Sequence, residues 1–132
     1  MKPWLHAKIS AKKFGGIPED YIEIHNWFDQ TKAHIPDSRH RLILHNSFGI
    51  YLAEQQFGTI INTEAGYKKI PILINSSGKE ISIRDIAEQH VLDDLGSIPT
   101  LYECMNYESE YDEKISGKMK TIKTTRHLKI ID

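Results

Sequence analysis

The texture of the chain changes at Thr59 and changes back near Ser82. Before Thr59, apolar residues recur every three or four places in segments punctuated by glycine and proline. From Thr59 to Ile83 the residues are β-branched and partly alternating, and after Ser82 the helical spacing returns. A period of 3.6 buries a helix face and a period of two buries a strand face, so the two patterns are not interchangeable. A short β region set between helical ones predicts an α+β fold: a compact bundle of three or four helices, with a small antiparallel hairpin or sheet from residues 59–83 leaning on one end.

Within that frame, Trp4, Leu5 and Ile9 make the apolar stripe of a first short helix, which Gly15-Gly16 end. Pro18-Glu19-Asp20 opens the next, with proline in the first turn and acids that complement the dipole. Tyr21, Ile24 and Phe28 face the core, and the helix stops before Pro36. The segment SRHRLILHNSFGIYLAEQQFG reads as one long helix capped by Asp37 or Ser38 and ended by Gly58. Leu44, Phe48, Tyr51 and Leu52 form its apolar face, and Arg41, His45, Gly49 and Leu52 fall in line. A glycine inside a helix costs ~1 kcal/mol relative to alanine, so Gly49 marks close packing or a site needing room. Turn signals at Glu64-Ala65-Gly66 and Ser76-Ser77-Gly78-Lys79 divide two or three strands, and Pro71 puts its strand at an edge. A third helix starts at Ser82 or Asp85 and ends at Gly96, with Ile83, Ile86, Ala87, His90 and Asp94 on one side. After Pro99, a short helix packs Leu101, Tyr102 and Met105. Residues 1–105 read as one domain. Residues 106–132 read as a polar C-terminal extension, acidic and then basic, with one late strand at TIKTTRHLKII.

The bulk numbers narrow the function classes. The 132 residues fit one domain able to bury a core without staples. A net charge of −1 gives no general pull toward nucleic acid or an anionic membrane. The single cysteine, Cys104, excludes an internal disulfide, suits a reducing compartment and reads as a small buried hydrophobe. No apolar run nears the ~20 residues that span a bilayer, and the N-terminal stretch is too polar for a signal peptide. There is no Walker pattern, no glycine-rich dinucleotide fingerprint, no HExxH, no CxxC and no nucleophile elbow around Ser47.

Chemistry points to the histidines. Of seven, six lie in the first 90 residues: His6, His25, His34, His40, His45 and His90. Two of them stand four places before an aspartate, His25 before Asp29 and His90 before Asp94. On a helix such a pair shares a face and can hold one ion, or the carboxylate can orient the imidazole. A lone histidine on an apolar face is ordinarily a hydrogen-bonded core residue, but two such pairs on separate helices follow the way helical bundles build metal sites. The candidate ligands are His25, Asp29, His45, His90 and Asp94, with His6 and His40 as outer candidates. A divalent zinc, manganese, iron or nickel ion suits that mixture. Arg39, His40 and Arg41, with Lys32, form a cationic group suited to a phosphate or carboxylate; surface ion pairs to Asp29, Asp37 or Glu88 are the alternative.

The segments AKKFGGIPEDYIEIHNWFDQTKAH, RHRLILHNSFGIYLAEQQFG and SSGKEISIRDIAEQHVLDDLGSIPT resemble a family of small phage and bacterial proteins with no assigned function. The likeness spans about residues 6–102. The chain has Thr31 where the family has serine, Asn46 where it has a second histidine, and extra residues at 62–73 and after Met105. The resemblance implies an intracellular, phage-encoded protein acting in the host cytoplasm, and implies no activity. Two functions follow as expectations. One is a metal-binding helical protein with hydrolase chemistry on a phosphoester, the cations neutralising substrate charge. The other is a non-enzymatic protein that binds a host protein or sequesters a small anionic ligand. Nucleic-acid binding through Lys118–Lys129 is a weaker third.

Overall fold

The computed structural model describes residues 1–107. Helices run over Pro3–Phe14 (α1), Ile22–Phe28 (α2), Arg41–Leu44 (α3), Ser47–Gln56 (α4), Ile83–Leu95 (α5) and Leu101–Met105 (α6). Tight 3₁₀ turns occupy Pro18–Asp20, Gln30–Ala33 and Ser38–His40. Strand β1 (Thr59–Thr63) pairs antiparallel with β2 (Gly66–Ile70), and β3 (Ile72–Ile74) with β4 (Glu80–Ser82), so the β region is two separate ribbons. This is the α+β architecture expected. Pro71 lies at the joint between the ribbons rather than in a strand, and its carbonyl accepts from the Ile83 N–H at 3.0 Å. The expected late strand lies outside the described residues.

Helix α5 is the centre of the molecule and packs against α1, α2 and α4. It runs from its N-cap Ser82 to Gly96, and Ile83, Ile86, Ala87, Val91 and Leu95 are buried along it. Tyr21, Ile24 and Phe28 fill the space opposite, as their spacing predicts.

Helix α1 reverses the expected face. Trp4, Leu5 and Ile9 are 42%, 48% and 37% exposed, while His6, Ala7 and Ser10 are buried. A polar group can be buried at little cost when every polar atom finds a partner. His6 and Ser10 find theirs on α2 and α5, which no local pattern reveals.

The long helix is instead two, joined at a corner. Asn46 is extended (φ −156°), its Oδ1 accepts from the Gly49 N–H at 2.8 Å, and its Nδ2 donates to the Leu42 and Ile43 carbonyls at 3.1 and 3.2 Å. One side chain thus closes α3 and caps α4. The corner needs Gly49, because a Cβ there would lie 1.7 Å from the Leu44 carbonyl oxygen. The break also rotates the buried face. Ile50 and Ala53 turn inward, and Phe48 and Tyr51 are 44% and 51% exposed.

The second ribbon is clamped to the α1–α2 junction. The Asp20 Oδ2 accepts from the Ile17 N–H (2.9 Å), the Ser76 N–H (3.0 Å) and the Ser76 hydroxyl (2.9 Å). Tyr21 donates its hydroxyl to the Gly15 carbonyl at 2.6 Å. Gly16 (φ +77°) leaves room for this, since a Cβ would come within 2.3 Å of that carboxylate. At the far end, Thr100 and Glu103 form a capping box for α6. Cys104 is buried there, whereas Tyr102 and Met105, expected to pack, are 71% and 76% exposed.

Candidate metal centre

The polar interior converges on His90. Helix α5 carries His90 and Asp94 one turn apart, and the His90 Nε2 lies 3.3 Å from an Asp94 oxygen. Asp29 follows the last residue of α2, and His45 follows the last residue of α3. Residues at helix ends escape the helical repeat, which lets both side chains reach a point on α5. The His45 Nε2 is 3.1 Å from the His90 Nε2, 2.9 Å from the Asp94 Oδ2 and 3.4 Å from the Asp29 Oδ1. The Asp29 oxygen is 3.3 Å from the His90 Nε2. The four donor atoms all lie within 4.8 Å of one another.

Such a set can hold a cation. Tetrahedral coordination at ~2.0–2.1 Å places donors about 3.3–3.4 Å apart. The two histidine side chains are fully buried, and those of Asp29 and Asp94 are only 8% and 2% exposed. Two carboxylates so enclosed need compensating positive charge, from protons or a metal. Burial pushes the Asp29 carboxyl upward, but its hydrogen bonds with His45 and His90 outweigh that and hold it below the usual carboxylate range. The same opposition, with bonds from His45, His6 and His90, holds Asp94 still lower. Both therefore stay ionised as ligands must.

His25 stands one step behind. Although four places before Asp29, it turns the other way. Its Nδ1 meets the His90 Nδ1 at 2.9 Å, and its Nε2 meets the Ser10 hydroxyl at 2.7 Å. Burial, then the neighbouring His90 and His6, lower its pKa to about 2, so it is neutral. His6 stacks on the His90 ring at 3.9 Å, with its Nε2 3.1 Å from the Asp94 Oδ1 and its Nδ1 3.4 Å from Asp93. The Met1 ammonium reaches the same Asp94 oxygen at 3.1 Å. Among the expected ligands, then, Asp29, His45, His90 and Asp94 are brought together, and His25 supports His90 from behind. His6, His25 and His90 also form a second donor group.

The cationic group disperses. Arg39 is exposed and paired with Asp37 at 2.8 Å, and Lys32 and His34 are also exposed. His40 is buried beside the His45 ring, and burial, then His45, lower its pKa to about 4. Arg41 alone approaches the centre, 3.9 Å from Asp94. Sequence reasoning missed Ser10, Gln89 and Asp93. The one local trace is that His6 and Ser10 stand four apart on α1, opposite its apolar stripe.

A sequence profile described as a domain of unknown function, DUF6915, matches residues 1–112. The chain belongs to that family. Every residue of the centre lies inside the matched region. No curated protein and no solved structure gives a significant match. No helix among the described residues is long and apolar enough to cross a membrane.

Proposed function

We propose that this DUF6915 protein is a metal-binding domain in which Asp29, His45, His90 and Asp94 hold one divalent transition-metal ion. The supporting observation is the spacing: five donor pairs at 2.9–3.4 Å, with two imidazole nitrogens aimed at two buried carboxylates. Zinc suits the tetrahedral arrangement. Manganese, iron or nickel would also accept two imidazoles with two carboxylates. Hydrolysis of a phosphoester is the reaction that such an ion would serve: Asp29, His45, His90 and Asp94 would hold it, it would supply Lewis acidity toward water, and Arg41 would meet the phosphate charge.

The near-complete burial of the ligands favours a second reading, in which the ion seals the core and the protein acts by binding. Its partner would be a host protein or a small anionic ligand, in the cytoplasm of a bacterial host if the chain is phage-encoded.

Metal analysis of untagged protein by inductively coupled plasma spectrometry tests the common claim. About one equivalent of metal per chain is expected, with chelator lowering thermal stability. Sub-stoichiometric metal and a chelator-insensitive melting point overturn it. Turnover of a chromogenic phosphodiester by the metal-loaded protein then separates the two readings.

A further inference from the structure

His90 has two nitrogens, and only a bare Nε2 can coordinate. The interior decides which nitrogen carries the proton, starting from Gln89. Its Nε2 stands 3.0 Å from the His6 carbonyl and 3.0 Å from the Asp93 carboxylate. Both are acceptors only, so the amide orientation is settled and its Oε1 faces Ser10. The Ser10 hydroxyl lies 2.6 Å from that oxygen and 3.1 Å from the His6 carbonyl. Its single proton must go to the Gln89 oxygen, because two oxygens at 2.6 Å with no proton between them repel.

The Ser10 oxygen is then left to accept from the His25 Nε2 at 2.7 Å. His25 is fully buried, and its ring nitrogens meet a hydroxyl and another imidazole rather than a carboxylate, so it holds a single proton; with that proton on Nε2 it presents a bare Nδ1 to the His90 Nδ1, 2.9 Å away. That contact requires the proton on the His90 side. In a neutral His90, the form that binds a metal, the Nε2 facing Asp29, His45 and Asp94 is therefore the bare nitrogen; without the ion it can carry the proton that bonds those carboxylates. Every donor in the chain points the same way.

We propose that Gln89, Ser10 and His25 are positioning residues that hold His90 in its Nδ1–H form and so deliver its Nε2 lone pair to the metal. The proposal rests on the metal-binding reading for its purpose but not for its tautomers. Such supporting partners typically change metal affinity 10–100-fold.

Two measurements test it. Nitrogen-15 NMR of the chelator-treated full chain distinguishes protonated from bare ring nitrogens. A protonated Nδ1 on His90 and a protonated Nε2 on His25 are expected, and the reverse pair overturns the proposal. Cobalt(II) titration then compares the wild type with Ser10→Ala and with Ser10→Thr, which restores the hydroxyl. Ser10→Ala is expected to bind cobalt roughly 10–100-fold more weakly, with the ligand-field spectrum of the bound ion unchanged and Ser10→Thr recovering much of the loss. Equal affinity of Ser10→Ala and wild type overturns the relay and leaves the metal reading intact. A wild type that takes up no cobalt, zinc or manganese overturns the metal reading, and the NMR arm still decides the tautomers. If Ser10→Ala fails to fold, Gln89→Met with the same titration takes its place: unchanged affinity overturns the relay, and loss on the same scale upholds it.

Discussion

Asp94 has most of the centre's polar atoms within reach. Its Oδ2 faces His45 at 2.9 Å and His90 at 3.3 Å, and its Oδ1 faces His6 at 3.1 Å and Arg41 at 3.9 Å. Asp94→Asn keeps the shape and removes the negative charge that a cation needs. Its metal content is expected to fall to background, measured by plasma spectrometry after gel filtration, and retention of a full equivalent would exclude Asp94 as a ligand. Arg39→Ala is the contrasting case. Arg39 and its partner Asp37 are more than half exposed, and such pairs contribute little. Melting temperature and metal content should both match the wild type. At this scale the sequence was informative where geometry is local: His90 and Asp94 share a face because both lie within one helix. His25 and Asp29 part company because Asp29 stands past the end of α2, where the i,i+4 relation no longer holds.

The corner between α3 and α4 is what carries His45 to the centre. It depends on an asparagine that serves two helices and on a glycine beneath a carbonyl. Gly49→Ala puts a methyl group 1.7 Å from the Leu44 oxygen, so the corner must open. A loss of at least about 2 kcal/mol in chemical denaturation is expected, with weaker metal binding because His45 shifts. An unchanged midpoint would show that the corner relaxes freely. Asn46→Ala strips a buried cap and is expected to cost about 1–2 kcal/mol on the same assay. The glycine was visible in the sequence as an anomaly, and close packing is its reason. The break itself was not visible, because Leu44, Phe48, Tyr51 and Leu52 imitate one continuous face. Helix α5 was legible from end to end, since Ser82, Gly96 and an apolar period agree.

Across the whole molecule, burying neutral imidazoles couples stability to pH. The folded-state pKa is about 2 for His25 and about 4 for His40, against an ordinary 6.5. Between those values the unfolded chain binds more protons, so stability falls as pH falls below 6.5. Chelator-treated protein should lose roughly 2 kcal/mol between pH 6.5 and 5 from His25 alone, read by urea denaturation. Asp29 and Asp94, held low, add a further loss below their ordinary range near pH 3.9. A flat profile from pH 7 to 5 would show that these rings are not buried neutral. Composition, periodicity and punctuation by themselves determined the class of fold, the limits of α5, the β region at residues 59–83, and the residue types from which a metal centre could be built. These signals are local, set by a few neighbouring residues. Only the tertiary structure decided that α1 buries His6 and Ser10 rather than Trp4 and Leu5, and that Gln89 governs His90 through residues 79 and 15 positions apart in the chain. Burial of a polar side chain depends on partners that folding brings together, and the sequence around it carries no record of them.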